Sequence, residues 1–253
     1  MASGSGIEWT EATWNPATGC SKVSPGCKNC YAETMSIRLK AMGNKKYAAG
    51  FDYVEHEDQV GLPLTWKKPK RIFVNSMSDL FHEDADEGFI RRCFDVMLEA
   101  DWHTYQILTK RPDRMATFSE GAAKGLGGDI PPFIWMGTSI EDAERRTRLD
   151  DLRRVRCQTR FVSFEPLLGP VGAIDMTGIH WAIIGGESGK NFRPVKKEWI
   201  MEIIGQCKEQ GVAVFFKQWG GIRPKSGGRE IDGVTYDEYP ETGCKEIQRV
   251  LAC

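Results

Sequence analysis

The chain has 253 residues, is 41% hydrophobic and 27% charged, and carries a formal net charge of −1. This composition excludes disordered and fibrous classes, and the near-neutral charge excludes a general attraction to nucleic acid or anionic membrane, so any polyanion must be met by a local patch. No apolar run reaches the roughly 18 residues of a membrane span, and the opening Met-Ala-Ser-Gly-Ser-Gly lacks the basic and apolar regions of a signal peptide, so a cytoplasmic protein with no membrane partner is expected.

From the amino end, the first feature is Gly19-Cys20-Ser21-Lys22-Val23-Ser24-Pro25-Gly26-Cys27-Lys28-Asn29-Cys30-Tyr31, which reads C-x6-C-x2-C. Pro25 and Gly26 allow the segment to fold back and bring Cys20 near Cys27 and Cys30. Three thiolates suit an iron–sulfur cubane that keeps one iron open, because such a cluster normally takes four; a catalytic zinc with three protein ligands and a water gives the same count. The nearest histidine, His56, lies in an irregular stretch, and no second close cysteine pair completes an all-cysteine zinc site. Spacing therefore leans toward iron–sulfur and leaves zinc and unliganded thiols open. Cys93 and Cys207 fall on apolar helix faces as small hydrophobes, and Cys244 and Cys253 near the chain end read as incidental.

Residues 41–70 read as an irregular insertion. Beyond them, apolar β-rich runs alternate with helical periodicity. Strands are predicted at 71–75, 104–108, 133–136, 160–164, 180–184 and 212–216. Phe89, Ile90, Cys93, Phe94 and Met97 recur at helical spacing, as do Trp199, Ile200, Ile203, Ile204 and Cys207. Such alternation predicts a parallel wound sheet or barrel in one domain, with ligand groups gathered where the strands end. The strand ends are polar: Ser76, Ser78 and Asp79; Lys110; Thr138, Ser139 and Glu141; Ser163 and Glu165; Glu187; Lys217. Arg111, beside Lys110, reads as marking the solvent boundary. Of two basic tracts, Lys67, Lys68, Lys70 and Arg71 lie beside a stacking group, Trp66, whereas the arginines from 145 to 156 alternate with acids as an ion-paired face. From about residue 220 the chain is an irregular Gly- and Pro-rich tail.

Thr13-Trp14-Asn15-Pro16, the cysteine segment through Ala32, Ser76-Met77-Ser78-Asp79-Leu80-Phe81, Leu108-Thr109-Lys110-Arg111-Pro112, Ser163-Phe164-Glu165-Pro166-Leu167 and Gly185-Gly186-Glu187-Ser188-Gly189 together resemble the phage Gp37/Gp68 family, a radical S-adenosylmethionine-like group, from residue 7 to about 220. The resemblance implies a partial or near-complete parallel (βα) barrel of radical S-adenosylmethionine type. It further implies a 4Fe-4S cluster on Cys20, Cys27 and Cys30, in the loop after the first strand. The open iron would bind S-adenosylmethionine, and a reducing electron donor would drive its cleavage to a 5′-deoxyadenosyl radical. The usual motif of such enzymes is C-x3-C-x2-C with an aromatic residue before the last cysteine; here the first gap is six and Asn29 takes the aromatic place, so Tyr31 is the candidate ring for the adenine. Mapped by strand order, Ser76, Ser78 and Asp79 fall where related barrels hold the methionyl amine, and Thr138, Ser139 and Glu141 where ribose or carboxylate is held. Asp79 and Ser139 have a second reading as helix caps. Lys110 is a candidate for the cofactor carboxylate or a substrate phosphate, and Glu165 and Glu187, if buried, need a partner such as Lys110 or Lys217. The expected substrate is a nucleic acid or modified nucleotide, as in DNA-repair lyases; the rival readings are a zinc-binding hydrolase and a non-catalytic phage-type interaction module.

Overall fold

The computed structural model describes residues 5–223 and 225–241. Six of the apolar runs form strands, and a short strand precedes the cysteine segment. The sheet comprises β1 (Ala12–Trp14), β2 (Arg71–Val74), β3 (Thr104–Thr109), β4 (Ile130–Ser139), β5 (Cys157–Phe164), β6 (Trp181–Gly185) and β7 (Ala213–Gln218). All neighbours are parallel and their spatial order follows the chain, so the seven strands make a curled, partial parallel barrel with β1 and β7 at its edges. Every strand therefore ends on the same side.

Crossovers carry helices α1 (Tyr31–Ala41), α2 (Glu87–Glu99), α3 (Pro112–Leu126), α4 (Arg148–Arg154) and α5 (Lys197–Glu209); residues 165–180 return from β5 to β6 without one. The capping chemistry is local: Asp86 accepts the Phe89 N–H at 2.9 Å to start α2, Pro112 opens α3, and Gly127, at φ 69°, ends it. The predicted apolar stripes of α2 and α5 are buried, Cys93 and Cys207 among them. In contrast, α1 buries only Ala32 and Ser36 and leaves Met35 and Ile37 in solvent.

Strand alternation divides the core in two. Ile72, Val74, Ile107, Met136, Val162, Ile184 and Val214 face the helices. Phe73, Trp135, Phe161, Trp181, Ile183 and Phe215 fill the lumen, joined by Trp9 from the segment before β1. Gly137 makes room for the Phe161 ring, since a Cβ there would lie 2.6 Å from it. Residues 41–70 hold one helical turn, Glu57–Val60, and a strand, Val54–Glu55, paired antiparallel with Ala17–Thr18. The tail from 220 contains a small antiparallel pairing, Glu230–Ile231 with Val234–Thr235. Cys244 and Cys253 lie outside the described residues. No helix among those described is long and apolar enough to cross a membrane.

Candidate metal centre at the mouth of the sheet

The cysteine loop leaves β1 at the carboxyl end of the sheet and is fixed there at both margins. Gly19 bridges to Ser78, whose hydroxyl donates to the Gly19 carbonyl at 2.7 Å, and Gly19 sits at φ 81° with its Cα facing the Asp52 carbonyl so closely that a Cβ would come within 1.9 Å. Only glycine fits. At the other margin, Cys30 caps α1, and the Tyr31 hydroxyl donates to the Ser76 carbonyl. Desolvation, with Cys30 and Glu165 adding to it, raises the tyrosine pKa, while the residue as a whole is 56% exposed. Asn15 ties the β2 end to the same place, accepting from the Ser76 hydroxyl at 3.1 Å and the Met77 N–H at 2.9 Å.

Cys20, Cys27 and Cys30 are free thiols, each half-buried. Burial pushes the Cys20 thiol up to about 12, Asp79 adds to the shift, and the Arg111 guanidinium, 3.8 Å from the sulfur, opposes it. Burial likewise raises Cys30, opposed by the Ala32 and Glu33 N–H groups and by Lys110. Among the described residues, no three His, Cys, Asp or Glu side chains stand in a closed metal-holding arrangement. The donor set suits a thiophilic metal or iron–sulfur cluster: three unoxidised sulfurs on one loop, with Arg111, Lys110 and the first-turn amides of α1 available to stabilise thiolate charge.

Two buried carboxylates strap this loop down. Glu141, just past β4, has a fully buried side chain that accepts from the Ser24 hydroxyl at 2.5 Å, Lys110 Nζ at 3.1 Å and Arg148 Nη1 at 3.0 Å. Burial would raise its pKa, but Lys110 and Arg148 outweigh burial and hold it below the usual carboxylate range. Gly26 runs against the same carboxylate, leaving no room for a Cβ. Glu187, past β6, accepts from Asn29 Nδ2 at 2.9 Å and is gripped by Arg193 through Nε at 2.9 Å and Nη2 at 2.5 Å. The same guanidinium donates to the Pro25 carbonyl at 3.0 Å. Glu187 is also held low: burial opposes ionisation, and Arg193 and Asn29 more than compensate.

Several predicted residues meet here in altered roles. Lys110 pairs with Glu141, and Glu165 pairs with Lys217 at 3.1 Å, as its burial required. Ser139 stands in register beside Ser163 on the lumen side. Thr138 faces the other way: adjacent strand residues point to opposite faces, and its hydroxyl donates to the Thr109 carbonyl at 2.9 Å. Asp79 is consumed by structure, accepting from the Phe81 N–H, the Thr109 hydroxyl, the Lys110 N–H and Arg111. Arg111, read as a solvent-boundary residue, is buried; it joins Asp79 at 3.1 Å, Ser21 Oγ at 2.6 Å and Cys20. Ser24, Asn29, Arg148 and Arg193 were absent from the expected site. Ser24 and Asn29 carried a usable signal, lying between the cysteines.

Lys110, Arg111, Arg148, Arg193 and Lys217 face Asp79, Glu83, Glu141, Glu165 and Glu187, so cations and carboxylates balance. The tract at Lys67–Arg71 enters β2 and so lies at the opposite end of the sheet. Arg145, Arg148, Arg153, Arg154 and Arg156 are all ion-paired.

Fold and site together define a partial parallel α/β barrel whose mouth is capped by a strapped three-thiol loop. A family described as "Protein of unknown function (DUF5131)" matches residues 4–240, and the chain belongs to it. No curated protein and no solved structure matches the chain.

Proposed function

We propose that the protein is a radical S-adenosylmethionine enzyme in which Cys20, Cys27 and Cys30 hold a 4Fe-4S cluster, acting in a reducing, cytoplasmic compartment on a nucleic acid or modified nucleotide. The observation that carries this reading is the position of three free thiols over the carboxyl ends of a sequentially wound parallel sheet, held by Glu141 and Glu187. Ligand chemistry on such sheets gathers at that end. When bound, the cluster and S-adenosylmethionine supply reductive cleavage of the sulfonium, with electrons from an external donor.

The chain's own residues hold and shield. Amides of Ala32 and Glu33 and the cations Lys110 and Arg111 stabilise sulfur charge. Ser139, Ser163 and the Glu165–Lys217 pair supply polar groups at the mouth, and the aromatic lumen closes the space beneath to water.

Anaerobic reconstitution with iron and sulfide, followed by absorption and electron paramagnetic resonance spectroscopy, tests the cluster. The reduced protein should release methionine and 5′-deoxyadenosine from S-adenosylmethionine; Cys20→Ala, Cys27→Ala and Cys30→Ala should each abolish this, and Cys93→Ala should not. Tight zinc binding with no cluster and no deoxyadenosine would favour the zinc reading instead.

A further inference from the structure

Three loops form a continuous rim on one side of the mouth. The cysteine loop touches the loop after β6 where Asn29 donates to the Asn191 carbonyl at 2.9 Å and Arg193 reaches Pro25. That loop in turn pairs with the one after β7, through the Ser188–Gly221 bridge and the Gly189 N–H to Gly221 carbonyl bond at 2.9 Å. Residues 21–31 and 219–228 contain no acidic side chain, and 187–193 contain only Glu187, which is buried and committed to Arg193. Of the exposed cations, Lys22 is paired with Glu33 and Lys225 with Glu8. Lys28, Lys190 and Arg223 are exposed and have no carboxylate partner among the described residues. At its Ser21 end the rim meets Glu83, which accepts from the Ser21 hydroxyl at 2.5 Å, and Asp142 and Glu144 after β4 are paired with Arg145.

Apolar faces lie among these cations. Tyr31 is 56% exposed while its hydroxyl is tied to the Ser76 carbonyl, so the side chain is presented without the entropy cost of ordering a loose one. Val23 and Ile222 are 42% and 69% exposed on the same three loops. Unpaired cations tracking a backbone and rigid ring faces receiving bases are the two elements of single-strand recognition. A duplex hides its base faces, and an enzyme working on a base needs that base unstacked.

We propose that this rim binds single-stranded nucleic acid through Lys28, Lys190 and Arg223, with a base on Tyr31. The inference rests on the functional reading above for its substrate class, but its test does not need the cluster. Cluster-free full-length protein, kept reduced, is titrated into fluorescein-labelled 20-nucleotide single strands of DNA and RNA and into the matching DNA duplex, with anisotropy as readout. Both single strands, or one of them, should bind more tightly than the duplex. The triple variant Lys28→Gln, Lys190→Gln, Arg223→Gln should weaken binding at least tenfold and reduce the slope of log affinity against log salt by about 2, the expectation for three lost single-strand phosphate contacts. Tyr31→Ala should weaken it about fivefold or more, and Tyr31→Phe, which keeps the ring but loses the tie to Ser76, should weaken it by less than Tyr31→Ala does. Lys67→Gln with Lys68→Gln, at the far end of the sheet, should bind as the unaltered chain does. No binding at 50 mM salt, an unchanged affinity in the triple variant, loss of binding in the Lys67/Lys68 variant instead, or equal affinity for duplex would each overturn the proposal.

Discussion

At the scale of single residues, the mouth depends on carboxylates that are buried and overcommitted. Glu141 is the clearest, serving Ser24, Lys110 and Arg148 at once. Because its pKa in the folded chain lies below the unfolded value of about 4.3, its stabilisation is present in full above that pH and is lost as pH falls through the lower folded value. Glu141→Gln should cost about 2–3 kcal/mol at neutral pH, since it leaves two half-buried cations facing an uncharged amide. Urea unfolding at pH 7 and at steps below pH 5 reads both effects: the variant should start less stable and lose less as acid is added. An identical acid slope in variant and parent would show that other carboxylates set it. In the sequence Lys110 and Glu141 are both legible as strand-end residues, but the expected partners of Lys110 are Glu165 and Glu187, and its pairing with Glu141 is not legible. Ser24, which joins them with Arg148, is not legible either, because no local pattern encodes which loop lies 117 positions away. Thr138 illustrates a different limit: a polar residue at a strand end points by its parity along the pleat, and its hydroxyl donates to the Thr109 carbonyl.

Among the elements, those with a clear period were legible. Strands β2 to β7 and the apolar faces of α2 and α5 follow from alternation and helical spacing. β1 is three residues long, too short to show a period, and its place is fixed by pairing with β2. The cysteine loop has almost no core of its own: Pro25–Cys27 is a single helical turn with no buried residue, and α1 contributes little. Its order must therefore come from the straps, chiefly Arg193, which joins Glu187 to the Pro25 carbonyl. Arg193→Ala should raise amide hydrogen exchange across residues 25–31 by about tenfold or more, from the loss of hydrogen bonds to a charged group. Exchange within β5 and β6 should stay unchanged. Unaltered exchange in the loop would mean that Ser24 and Gly19 suffice to hold it.

For the molecule as a whole, the two faces of one sheet do different work: helices bury the outer face, and the lumen is blocked by rings. Trp181 is central to that block, with ring centroids 5.6 Å from Trp135, 5.7 Å from Phe161, 6.1 Å from Phe215, 6.1 Å from Trp9 and 5.2 Å from Tyr239. These partners come from the segment before β1, from β4, β5 and β7, and from the tail, so the tryptophan unites parts of the chain that no hairpin joins. A sealed lower lumen leaves the carboxyl end as the approach to the thiols, which is why the rim's charge pattern matters to what reaches them. Trp181→Ala removes a fully buried indole from a site where the surrounding rings are fixed to different strands and cannot collapse together. The cost should be about 3–5 kcal/mol, at the upper end for core truncations. Equilibrium unfolding in urea measures it as a lower midpoint, and solvent reaching the lumen should appear as faster exchange of the β6 and β7 amides. A loss below about 1 kcal/mol would mean that the lumen rings repack freely and that the sheet is held by its helix-covered face alone.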